Sequence, residues 1–357
     1  MLNRFMMPVL LAFCVLLAPV TGALAQPQLP QAVRQADRIG GTEREQIRDF
    51  CDHWVGQLTD FDGEDEALGA VAEARQRLAG VFDGDISSAF RSEYERMLGD
   101  RLAEALGHDE MVVRLNTMIV ASNFRTSAIA PLLESAATDE NAAIRYWAAR
   151  GANLLVESRR DAGDVRTGLD SDLQRELLRI FGPLVESEAS PFIFQQFAEA
   201  LSFLSITEAD EVLLEGLIER LRLYLDDPDI SPAGVRTALG NVSVKRFARV
   251  DDVDGDTRRL IIRTSFLYLR AYFTLSRADD GIDRDHEGWR RLAARASNVL
   301  RPWCNAMEVD LDQMPARFAV AAPRPEALWQ ARFDWEDDVL TARLGFTSED
   351  LALPASN

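Results

Sequence analysis

The stretch Ala128-Ile129-Ala130-Pro131-Leu132-Leu133-Glu134-Ser135-Ala136, Ala137-Thr138-Asp139-Glu140-Asn141, Ala142-Ala143-Ile144-Arg145-Tyr146-Trp147-Ala148-Ala149 decides how the rest of this chain is read. An apolar segment opens near a proline, a position where the missing N–H costs a helix nothing. A five-residue polar turn follows, and then an Ala-rich segment that begins on Ile144-Arg145. Ala and Leu dominate both flanks, and no period-two alternation of apolar and polar residues is present. The pattern predicts two short helices joined by a turn. Each has an apolar stripe that it cannot bury alone, so the unit needs neighbours of its own kind.

Looser copies stand on both sides. Before it come Leu102–Leu106, the turn Gly107-His108-Asp109-Glu110 and Val112-Val113-Arg114-Leu115. After it come Leu213–Leu225, the turn Asp226-Asp227-Pro228-Asp229 and Gly234-Val235-Arg236-Thr237-Ala238-Leu239. Arg114 and Arg145 stand about 31 residues apart, inside the 20–50-residue period of stacked helical units. Arg145 and Arg236 stand about three times as far apart, yet only one copy is visible between them: Leu177–Leu184, the turn Glu186–Ser190, and Pro191–Leu204, with Gln195 in place of the arginine.

The Pro131-Leu132-Leu133 helix, the Asp139-containing turn and Ile144-Arg145 before an Ala-rich helix resemble a HEAT or HEAT-like, armadillo-type repeat. The resemblance covers about Leu98–Arg249, departing at Gln195 and at the insert Glu157–Ser171. It implies an all-α fold, an α–α superhelix or HEAT-like solenoid, with irregular helical flanks. It also implies that a turn Asp and a second-helix Arg form a ladder between neighbouring repeats, here Asp109/Arg114, Asp139/Arg145 and Asp229/Arg236. Such a resemblance specifies a scaffold, not an activity.

Met1–Ala25 carries Arg4, an apolar run from Phe5 to Val20 and the ending Ala23-Leu24-Ala25. These features predict an export signal cleaved after Ala25; Cys14 in mid-run, with Phe13 before it, does not suit a lipid-attachment site. The boundaries read as signal 1–25, a Gln/Pro-rich tether 26–41, an N-terminal helical cap 42–106, HEAT-like repeats 107–250 and a C-terminal helical region 251–357. In the cap, Thr42-Glu43-Arg44-Glu45 has the form of a capping box. Ile47, Phe50, Cys51, Trp54, Val55 and Leu58 follow at helical spacing. A weaker helix spans about 64–81, and Asp85 is the expected cap of the next, about 86–106. Further on, Leu260–Leu275 is apolar nearly all round and should be the most buried helix; Arg263 and Arg270 within it argue against a membrane span. A helix over about 284–300 should end before Pro302, with shorter ones at 326–333 and 334–344.

The chain has 357 residues, 39 basic and 58 acidic, for a net charge of −19. Lysine occurs once, at Lys245. So acidic a balance argues against nucleic acid and against anionic membrane surfaces as partners. The 18 Phe and 6 Trp argue against disorder.

Candidate chemistry is sparse. Asp251-Asp252-Val253-Asp254-Gly255-Asp256 has the carboxylates of a calcium loop, but aligning Gly255 to the loop's glycine puts Val250 and Ile261 at its outer ligand positions. A capping turn with Asp256 as N-cap is the reading preferred, with weak calcium binding left open. His53, His108 and His286 show no paired spacing for zinc. No nucleophile elbow, phosphate loop or dinucleotide fingerprint occurs. Cys51 and Cys304 could pair after export but read better as buried hydrophobes. Trp289, Trp303, Trp329 and Trp335 crowd the C-terminal region, where exposed tryptophans would contact a partner or a glycan and buried ones would pack a terminal cap. The sequence thus points to an exported, non-catalytic scaffold without a cofactor. Its partner would be another protein or a peptide, not nucleic acid, with no membrane insertion after signal cleavage. The alternative is a glycan-handling protein or hydrolase with its site among the C-terminal Trp and Asp/Glu residues.

Overall fold

The computed structural model describes residues 26–309, apart from 62, 65–66, 161–166 and 277–285, together with 338–354. In chain order the helices are α1 (Gln31–Arg34), α2 (Gly41–Thr59), α3 (Ala67–Ala79), α4 (Ser88–Leu106), α5 (Met111–Ala121), α6 (Ala130–Ala136), α7 (Ala142–Glu157), α8 (Ser171–Phe181), α9 (Leu184–Ser187), α10 (Pro191–Ser202), α11 (Thr207–Asp226), α12 (Ala233–Phe247), α13 (Gly255–Leu275) and α14 (Glu287–Ala306). A further helical turn covers 338–344. Among the described residues the extended pairing is one isolated antiparallel bridge, Arg160 with Thr167.

The helices stack in two layers. First helices contact first helices in the order α2, α4, α6, α8 with α9, α11 and α13. Second helices contact second helices in the order α3, α5, α7, α10, α12 and α14. Each unit touches its neighbours in the row, as expected when short amphipathic helices bury their stripes against copies of themselves. The chain is a helical-repeat protein. The same stacking extends beyond 107–250 in both directions, through α2/α3 and through α13/α14. The long interval between Arg145 and Arg236 is explained by unequal repeats: one unit, α8–α10, lies between α7 and α11. Its first helix, expected as one piece over 177–184, is broken at Gly182-Pro183. A Cβ on Gly182 would stand 2.6 Å from the Leu178 carbonyl oxygen, and Pro183 has no N–H to continue the helix.

Three expected caps move. The first long helix starts at Gly41, and Glu43 reaches back to accept the Gly40 N–H at 3.0 Å, so the cap lies two residues ahead of Thr42. Ser87, not Asp85, caps α4, accepting the Phe90 N–H at 3.0 Å while its hydroxyl donates to the Ala36 carbonyl. Asp254, not Asp256, caps α13, accepting from the Thr257 N–H and hydroxyl at 2.8 Å each. These bonds hold the Asp254 carboxyl below its ordinary value. At Ser87 and Asp254 the residue that wins is the one whose oxygen reaches the N3 amide. The 26–41 segment is not a free tether, because Leu29 and Val33 are buried against the body. Pro302 lies inside α14, which runs on to Ala306.

α13 buries its aromatic and aliphatic positions from Ile261 to Leu275. Arg263 and Arg270 hold the C-terminal segment across it, donating at 2.8 Å to the Asp350 and Leu351 carbonyls. Leu340, Leu344, Phe346 and Leu351 are buried beneath. Trp289 and Trp303 are fully buried, their indole N–H groups donating to the Pro228 carbonyl at 2.9 Å and to Ser243 Oγ at 2.8 Å. They are core, which removes half of the tryptophan cluster on which a C-terminal glycan site was expected. Trp329, Trp335 and the helix expected at 326–333 lie outside the described residues. Cys51 and Cys304 are both buried and are not joined by a disulfide, and burial pushes the Cys51 thiol up to about 12. No described helix is long and apolar enough to cross a membrane.

Candidate functional site

The expected ladder residues sit on one rim of the stack, where first helices turn into second helices. Arg114, on α5, donates to the carbonyls of His108 and Asp109 at 3.2 and 3.0 Å and pairs with the Asp139 carboxylate of the next unit at 3.3 Å. Arg145, on α7, donates to the carbonyls of Asp139 and Glu140 at 2.9 and 3.1 Å. Its guanidinium then takes both carboxylate oxygens of Glu188, at 2.9 and 3.3 Å. So each arginine secures its own turn through carbonyls and reaches the following turn through a carboxylate. Glu188 stands where the pattern has Asp, a residue the sequence reading passed over. Asp229 is exposed, and no hydrogen bond or ion pair joins it to Arg236 among the described residues.

The rim continues through an unexpected residue. Arg220, on α11, is fully buried and donates to the carbonyls of Val185 and Glu188 at 3.2 and 2.7 Å and to Tyr224 Oη at 3.1 Å. Its guanidinium lies 3.8 Å from the Phe194 ring centroid, a cation–π contact made strong by exclusion of water.

The opposite rim, where a second helix leads to the next first helix, holds another set that the sequence reading missed. Glu95 on α4, Gln174 on α8 and Asp210 on α11 are all buried. Glu95 accepts the backbone N–H groups of Arg125 and Thr126 at 2.9 Å. Gln174 Oε1 accepts the N–H groups of Ser205 and Ile206 at 2.7 and 3.3 Å. Asp210 holds Lys245 at 2.6 Å and also Arg246, both on α12. A shared signal was present: each polar residue stands three positions before a buried leucine, Leu98, Leu177 or Leu213, in register with the apolar stripe.

Along the second-helix row a line of polar side chains joins neighbours. Arg75 on α3 donates to Asn116 on α5 at 3.1 Å. Arg150 and Asn153 on α7 both donate to Gln196 on α10 at 3.3 Å, and Asn241 on α12 donates to Ser202 at 3.0 Å. Glu199, beside Asn153, has its carboxyl raised above the ordinary value by burial and then by the charge of Glu157. The row ends at a cleft of about 380 Å³ between α12 and α14, lined by Val244, Phe247, Arg295, Asn298 and Pro302. Val244 is 51% and Phe247 41% exposed, with Arg295 alongside.

The histidines serve locally. His108 Nδ1 accepts the Glu110 N–H at 3.0 Å, His286 Nδ1 faces the Trp289 N–H as the α14 cap, and His53 lies edge-on to Trp54. The acidic turn at 251–256 is tied by Asp254 and by Arg258, which donates to the Val253 and Val250 carbonyls. Among the described residues no group of three or more His, Cys, Asp or Glu side chains could hold a metal ion.

No protein-family model matches the chain, and no curated protein matches it. Among solved structures it is similar to a designed armadillo repeat protein, at 15% identity and a TM-score of 0.43, over 69% of this chain and 98% of that one. It is also similar to two engineered proteins from the Northeast Structural Genomics Consortium. One is 13% identical with a TM-score of 0.46, over 72% of this chain and 97% of that one. The other is 18% identical with a TM-score of 0.47, over 71% of this chain and 98% of that one. The repeat architecture itself is read from the two helix rows described above.

Proposed function

We propose that this protein is an exported, non-catalytic scaffold that presents its second-helix row to another protein or an extended peptide. The observation that carries the reading is the division of labour among its polar groups. Of the buried ones, Glu95, Gln174, Glu188 and Lys245 join one repeat to the next, and Asp210 holds Lys245 in place. The half-buried ones, Arg75, Arg150, Gln196 and Asn241, line successive second helices and lead to the Val244–Phe247 patch. Exposed apolar side chains with a polar rim and an arginine alongside suit a protein partner, where aromatic and Arg anchors carry most of the affinity. Export is supported by the Met1–Ala25 pattern, and the Leu29–Val33 segment just beyond it packs on the body.

The test is capture from an extract of the exported fraction using wild type and the double variant Val244→Glu, Phe247→Glu. The same protein should be retained by wild type and lost from the variant, with unchanged thermal melting. Equal retention by both, or no specific protein in either, refutes the proposal.

A further inference from the structure

We propose a second site at the far end of the stack, a cleft that binds a carboxylate-bearing polar ligand between the N-terminal segment and α3. This cleft of about 770 Å³ is walled by residues 26–34 on one side and by α3 and the turn after it on the other, over a floor of Phe50 and Trp54. The segment is anchored rather than draped: the Trp54 indole N–H donates to the Pro27 carbonyl at 3.4 Å, Leu29 is buried, and the Ser87 N–H donates to the Arg34 carbonyl at 2.9 Å. The size lies within the range of small-molecule sites.

Its charge runs against that of the molecule. In a chain of net charge −19, the cleft gathers the guanidinium groups of Arg34, Arg75 and Arg77 against the carboxylates of Glu73 and Asp83. Arg77 is occupied, pairing with Glu73 at 3.2 Å. Arg34 and Arg75 have no carboxylate within ion-pair distance among the described residues. Arg75 spends one nitrogen on the neutral Asn116 amide, and Arg34 Nε is buried without a hydrogen-bond partner. The guanidinium fork matches the two oxygens of a carboxylate. The glutamine amides on both walls suit the amide or hydroxyl groups of a polar ligand. Asp83 and Glu73 at the rim oppose a dense polyanion. Two sources share the chemistry, a free polycarboxylate and the acidic end of a peptide.

The experiment is calorimetric titration of the full protein with citrate, with a triglutamate peptide and with inorganic phosphate. Each titration is repeated on Arg34→Gln, on Arg75→Gln and on Arg222→Gln, whose arginine pairs with Glu219 on α11. Saturable binding of citrate, triglutamate or both is expected, at least tenfold weaker in Arg34→Gln and Arg75→Gln and unchanged in Arg222→Gln. Binding of citrate alone identifies a free carboxylate, and binding of triglutamate alone a peptide. The proposal is overturned if neither saturates below about 10 mM, if phosphate alone binds, or if both cleft variants bind as wild type does while melting normally.

Discussion

Glu95→Ala should weaken the protein far more than its position in the sequence suggests. The side chain is fully buried, and its two oxygens are the acceptors for the Arg125 and Thr126 N–H groups at the start of the next repeat, while Arg91 adds an ion pair at 3.3 Å. Truncation leaves two buried donors without acceptors, each costing roughly 1–3 kcal/mol. Relief from desolvating a carboxylate returns part of this, so a net loss of about 3 kcal/mol is expected. Glu95→Gln keeps one acceptor oxygen and should lose about half as much. Glu93→Ala, two residues away on the surface and paired with Arg44 and Arg96, should lose less than about 1 kcal/mol. Urea unfolding followed by circular dichroism measures the differences. Hydrogen exchange at the Arg125 and Thr126 amides localises them, with protection falling about a hundredfold in Glu95→Ala. Equal losses for Glu95→Ala and Glu93→Ala, or unchanged protection at those two amides, would refute the role assigned to this carboxylate.

Other consequences follow from single contacts. Gly234→Ala places a Cβ 2.6 Å from Phe194 Cδ1 and 3.0 Å from the Gln195 Cα, so despite its better helix propensity it should lower stability by about 1–3 kcal/mol in a thermal melt. Burial raises the Glu199 carboxyl, so the folded state binds a proton more tightly than the unfolded chain and stability falls as pH rises above about 4.5. Glu199→Gln should therefore raise the melting temperature at pH 7, with the gain vanishing below pH 4; a lowered value at pH 7 would contradict the sign. Because Lys245 is buried and paired, an amine-reactive ester should label the native protein at its α-amine and not at Lys245, as peptide mapping would show. With its thiol pushed up to about 12, Cys51 should resist a thiol reagent at pH 8 until denaturant is added.

Much of the architecture is legible in the residues. Pro131, the turn with Asp139 and the Ile144-Arg145 step specify the helix pair, and Arg114 and Arg145 each hold the carbonyls of their own turn and a carboxylate of the next. What escapes is set by contacts that no local pattern encodes. The cap at Ser87 depends on its bond to Ala36, far away in sequence. The burial of Trp289 and Trp303 requires Pro228 and Ser243 from the preceding unit. Glu95, Gln174 and Asp210 were visible as polar residues on an apolar stripe. Their meaning depends on the N–H groups and cations that folding brings opposite them. The arginine cleft was invisible because Arg34 and Arg75 are separated in sequence by all of α2 and read singly as solvated charges.

A second-helix row that other proteins meet is exposed to site-specific photo-cross-linking in the native host. A photoreactive residue at Asn241, on that row, should give one discrete protein adduct, while the same residue at Glu219, on the first-helix row, should give none. Equal adducts at both positions, or an adduct at Glu219 alone, would contradict it.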